Sequence, residues 1–155
     1  MLTNLQLATI EHFGTGAGSA AQARRLAAKS FDRAYAAGKL AQFFSRLSGK
    51  SAALKVLAHQ SETANRRTNA TLDISIDQIV GSVSRSQDFD AHFNPLQIHD
   101  RERWVGVAAA RRNGVILPAV ELVRAEDGYY VIDGHHRISV AKAMGQSVIE
   151  ARIVN

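Results

Sequence analysis

The chain has 155 residues, 46% of them hydrophobic and 21% charged, with no cysteine and a formal charge of +5. That length buries a real core as one compact domain or a small domain with an appendage, and the composition excludes disordered and fibrous architectures. Without cysteine there are no disulfides, thiolate zinc sites, cysteine nucleophiles or peroxidatic chemistry.

In chain order, MLTNLQLATIEHF lacks a basic n-region and carries Glu11, so no signal peptide is expected. No apolar run approaches the roughly 18–20 residues that span a bilayer. A cytoplasmic protein with no membrane partner is the expectation. GTGAGSA (14–20) resembles a glycine-rich phosphate loop, but it lacks a preceding strand and a Gly-Lys-Ser/Thr ending and reads as a linker. Ser19 then caps the run AAQARRLAAKSFDRAYAA, stopped by Gly38. A second helix, KLAQFFSRLSG, sets Leu40, Phe43, Phe44 and Leu47 at 3/4 spacing and ends at Gly49. Those four need a partner surface, either the rest of the chain or a second subunit, so a homodimer through these helices is one expectation. SAALKVLAHQ reads as a third short helix.

The basicity is confined to this part. Residues 1–60 hold eight Lys/Arg against two acids, a net of +6, whereas residues 61–155 hold eleven against twelve. Arg24, Arg25, Lys29 and Arg33 are the candidate nucleic-acid contacts; the alternative is a solvated helix face. The polar stretch SETANRRTNA (61–70) divides a basic helical segment, 1–65, from a second unit, 66–155.

The second unit alternates. LDISI (72–76) has the period of a half-buried strand, and DQIVGSVSRSQDFDAHFNP reads as turn-rich. HDRERWVGVAAARRNG (99–114) is a helix with Asp100 at its start, Trp104, Val105, Val107 and Ala108 on its apolar stripe and Gly114 at its end. PAVELV, the turn AEDG and YYVI form a hairpin; GHHRISVAKAM is the last helix, and VIEARIV closes as a strand. The fold class is α+β.

The candidate site is Asp133-Gly134-His135-His136-Arg137, where a strand runs straight into a helix. Gly134 lets the chain turn, and the unpaired N–H groups of the first helical turn form a phosphate site at the positive end of the helix dipole. His135, His136 and Arg137 add donors, Ser139 a hydroxyl, and Asp133 a carboxylate for a metal, a proton or a ribose hydroxyl. The alternatives are a helix cap for Asp133 and packing roles for the histidines. Adjacent histidines on a helix point about 100° apart, so they do not share a metal. Arg85, Asp88, His99, Arg101, Glu102 and Arg103 form a second polar cluster that either completes the site or is a surface ion-pair helix. Glu102 is its candidate second carboxylate. Trp104 is assigned to the core, with base stacking as the alternative.

The order of PAVELV, hairpin, YYVIDGHHRISVAKAMG and VIEARIV, preceded by LDISIDQIVGS, resembles the ParB/sulfiredoxin-like family of ParB N-terminal domains over roughly residues 70–155. The DGHHR form is most similar to small ParB-like proteins and to the ParB-like free-serine kinases. The resemblance implies a ParB/sulfiredoxin-like domain that holds ATP, ADP or CTP phosphates, with Mg²⁺, at the strand-helix junction. Gly134, His135, His136, Arg137, Ser139, Arg85 and Arg101 would be phosphate or nucleotide positions. Asp133, Glu102 and His136 would carry catalysis, with Asp133 also the Mg²⁺ ligand. Hydrolysis, phosphoryl transfer and nuclease activity stay open, as does the absence of any catalysis. Sulfiredoxins need a cysteine inside this motif, so sulfinic-acid reduction is excluded. Partition ParB proteins carry Gly-Glu-Arg-Arg and a following DNA-binding domain, so clamping of that kind is not expected here. The alternative function is a nucleic-acid module in which the basic helices bind and DGHHR grips backbone phosphate.

Overall fold

A computed structural model describes residues 16–57, 67–84 and 87–154. Helix α1 (Gly16–Ser48) leads to strand β1 (Lys55–Val56), then β2 (Arg67–Ser75) and β3 (Ile79–Ser82). Helix α2 (Arg101–Arg112) follows, then the hairpin β4 (Val120–Ala125) and β5 (Gly128–Asp133), helix α3 (His135–Ala143) and β6 (Val148–Val154). The six strands form one mixed sheet in the order β1-β3-β5-β4-β6-β2. β3 lies parallel to both β1 and β5, β4 is antiparallel to β5 and parallel to β6, and β2 closes the other edge antiparallel to β6. The fold is α+β. Among the described residues, no helix is long and apolar enough to cross a membrane.

Four expectations are corrected. The stretch read as a linker is helical from Gly16 onward, so Ser19 lies within α1 and does not cap it. Gly38 does not stop a helix; α1 runs unbroken for 33 residues and ends before Gly49, whose φ of +67° suits glycine. Gly38 instead lies where a Cβ would stand 2.8 Å from the Pro95 carbonyl oxygen, so the missing side chain allows the helix to seat on the 94–96 loop. Within SAALKVLAHQ, Lys55 and Val56 form β1 and pair with Gly81 and Ser82 of β3, a case of tertiary pairing overriding helix propensity. The turn-rich segment hides β3 itself. Its Gly81 is required by close approach, since a Cβ there would meet the Tyr130 ring at 2.5 Å and the Lys55 carbonyl oxygen at 2.6 Å.

Two apolar clusters hold these layers. One joins Ile74, Ile79, Val120, Leu122, Val131 and Ala151 of the sheet to Ile138 of α3 and to Phe89 and Phe93 of the 87–97 loop. The other joins Ala27, Phe31 and Ala34 of α1 to Trp104, Val105 and Ala108 of α2 and Val140 of α3. Phe31 meets Trp104 edge-on, centroids 5.6 Å apart, and both are fully buried. The basic helix is therefore packed on the α+β unit through a shared core. Trp104 is a core residue; its burial leaves no face for a base.

Candidate functional site: the junction of β5 and α3

Gly134 turns the chain from β5 into α3 at φ 102°, a left-handed conformation, and a Cβ there would lie 2.6 Å from Val120 Cγ1. The first helical hydrogen bond runs from the Ile138 N–H to the Gly134 carbonyl, 3.0 Å. The N–H groups of His135, His136 and Arg137 precede it, at the positive end of the helix.

The side chains divide between floor and rim. His135 is 4% exposed and shares a 2.7 Å hydrogen bond, through Nε2, with Ser82 Oγ at the end of β3. His136 is 8% exposed, its Nε2 3.4 Å from Oδ1 of the buried Asp100. Phe89 stacks on His135 and meets His136 edge-on. Both imidazoles thus form a packed floor. Asp100, expected simply to open α2, makes no capping hydrogen bond and is turned inward toward His136.

Arg137 is also committed. Its Nη1 donates to the Pro118 and Ala119 carbonyls at 2.6 and 2.8 Å, and Nη2 donates to Asp133 Oδ2 at 2.5 Å. It therefore ties the 113–119 loop to α3. Asp133 itself is largely exposed. Ser139 points away from the junction and accepts the Trp104 Nε1–H at 2.8 Å, deep in the core.

An open cleft of about 440 Å³ brings together Asp133, Gly134, His135, His136 and Arg137, with Arg103 and Val107 of α2, Leu117, Pro118 and Ile132. Glu102 and Arg101 are elsewhere. Glu102 is ion-paired with Arg24 at 2.5 Å, and Arg101 reaches Asp32 at 3.4 Å and lies over the Phe31 ring. Successive helical residues differ by about 100°, so with Trp104 in the core, 101 and 102 face α1 while 103 faces the cleft. Arg103, named in the second polar cluster but given no role of its own there, lines the cleft. Its signal is the Arg103/Val107 pair, four residues apart on one helix face. Of the candidate nucleic-acid contacts, Arg24 is paired with Glu102, and Arg25, Lys29 and Arg33 are exposed. Arg85 lies outside the described residues.

Among the described residues no group of three His, Asp or Glu side chains is placed to hold a metal. Asp133 alone fits Mg²⁺ only as one ligand to an ion that arrives on phosphates and keeps its waters.

No family model and no curated protein matches the chain. The crystal structure of sulfiredoxin from Arabidopsis thaliana aligns with it at a TM-score of 0.42 and 14% identity, over 54% of this chain and 83% of that one. The α+β class expected from the alternation of strands and helices is the one the chain adopts.

Proposed function

We propose that the cleft between β5 and α3 binds the phosphates of a nucleotide. The observation that supports this reading is the pairing of two kinds of donor on one cleft. The residues that open α3 line it, at the positive end of the helix, and so does Arg103, an exposed guanidinium with no ion-pair partner among the described residues. Val107, Leu117 and Ile132 supply an apolar wall for a base or sugar. Gly134, His135, His136 and Arg137 act here through backbone N–H groups, while the side chains of Arg137 and the histidines hold the frame. Asp133 is the one carboxylate lining the cleft, so hydrolysis or phosphoryl transfer would depend on it and on Mg²⁺ carried with the phosphates.

The test is thermal stabilisation by ATP, ADP, CTP and GTP with Mg²⁺. A ligand at a hundred times its Kd stabilises by about 2.7 kcal/mol. The expected result is a shift with at least one nucleotide that Arg103→Ala abolishes. No shift with any of them overturns the reading.

A second reading, binding of a nucleic-acid backbone, is supported by the exposed Arg25, Lys29 and Arg33. It requires an affinity that falls steeply with salt, and a slope reduced by roughly one per cation removed.

A further inference from the structure

The outer face of α1 carries two surfaces in series. Lys29 and Arg33 lie eleven residues, three helical turns, before Leu40 and Phe44, so all four share one face. Beyond the cations, that face becomes apolar. Leu40, Phe43, Phe44 and Leu47 are 56%, 57%, 57% and 69% exposed, with Phe43 and Phe44 in edge contact. Together they present on the order of 400 Å² of apolar surface, the size of a functional patch on a monomer.

The segment between β1 and β2 does not suit this strip. Residues 58–66, AHQSETANR, hold no apolar side chain larger than alanine.

We propose that the strip is a self-association surface, on which α1 pairs antiparallel with α1 of a second copy about a two-fold axis between Phe43 and Phe44. Leu40 then lies opposite the partner's Leu47, and Phe43 opposite the partner's Phe44, so the patch complements itself as a two-fold interface requires. The charges select the direction. Antiparallel pairing carries Arg25, Lys29 and Arg33 of each copy past the end of the partner's helix, whereas parallel pairing would set them against their own copies. Lys39, at the flank, is turned aside, its ammonium over the Tyr35 ring and donating to Gln42. Burying the strip twice gives about 800–1,000 Å², at the lower edge of a specific interface, so the dimer is reversible and concentration-dependent.

Sedimentation equilibrium of the full chain from micromolar to millimolar concentration tests this. A monomer–dimer equilibrium is expected, weakened at least a hundredfold by the double substitution Phe43→Asp/Phe44→Asp. Thermal unfolding of the dilute double variant should be unchanged, because both side chains are already exposed. The absence of cysteine makes introduced thiols unique reporters of direction. An equimolar mixture of Leu40→Cys and Leu47→Cys chains should give the mixed disulfide. Ala36→Cys alone should not cross-link, its two copies lying about 22 Å apart along the helix axes. A chain that stays monomeric, a dimer that survives the double substitution, or an Ala36→Cys cross-link overturns the proposal. A monomer that instead binds anionic vesicles through the strip also overturns it.

Discussion

Trp104 of α2 donates its indole N–H to Ser139 Oγ of α3 at 2.8 Å, with both residues sealed from solvent. That bond joins the two helices that flank the cleft, one contributing Arg103 and the other its N-terminus. Ser139→Ala leaves a buried N–H without an acceptor, which costs about 1–3 kcal/mol. Denaturant unfolding followed by fluorescence measures the loss directly, since Trp104 is the only tryptophan. A loss within 0.5 kcal/mol, the usual size for a surface change, would show that the bond does not hold these helices.

Gly38→Ala should destabilise although it improves helix propensity by about 1 kcal/mol. The added Cβ would meet the Pro95 carbonyl oxygen at 2.8 Å and Leu96 Cδ2 at 3.0 Å, and forcing extra atoms into a packed contact costs about 1–3 kcal/mol. A rise in Tm would mean that Gly38 serves no packing role.

Arg103 and Arg137 border one cleft and should fail differently. Arg103 is exposed and has no ion-pair partner among the described residues, so Arg103→Ala should leave stability within about 0.5 kcal/mol while nucleotide stabilisation is lost. Arg137→Ala removes the donors to Pro118 and Ala119, so amide hydrogen exchange in residues 113–119 should accelerate even without ligand. Equal exchange in the two variants would remove the distinction.

Stability should also depend on pH through a cluster beside β1. The Lys55 ammonium, 3.2 Å away, and the Tyr130 hydroxyl hold the Asp127 carboxyl below its ordinary value. That stabilisation is present above the ordinary carboxylate range and fades as pH falls through the lowered value. Burial, and then the Asp127 hydrogen bond, push the Tyr130 phenol above its ordinary 10.0. Its contribution is complete below that ordinary value and is lost as pH rises through the elevated one. Tm against pH should therefore flatten on the acid side in Asp127→Asn and on the alkaline side in Tyr130→Phe. Unaltered limbs in both would disconnect the cluster from stability.

Sequence alone determined the α+β class, the helix over 99–114, the hairpin, and the strand running through Asp133 and Gly134 into the last helix. These elements are local: periodicity, caps and a two-residue turn act between near neighbours in the chain. The same reasoning located the junction but could not orient its side chains. Whether His135 and His136 face a ligand or the core depends on Ser82, Asp100 and Phe89, which lie 35 or more residues away. Only the packing of α1 onto α2 decided that Glu102 belongs to Arg24 and that Arg103 borders the cleft. β1 and β3 escaped for a related reason: two or four residues carry too little periodicity to register, and their stability comes from sheet neighbours distant in sequence. The +5 charge resolves into a helix whose Arg24 pairs with Glu102 of α2 while Arg25, Lys29 and Arg33 stay exposed on the same helix as an apolar strip. The absence of cysteine keeps thiol chemistry out of the junction, and which of its polar side chains face the cleft was decided by tertiary packing.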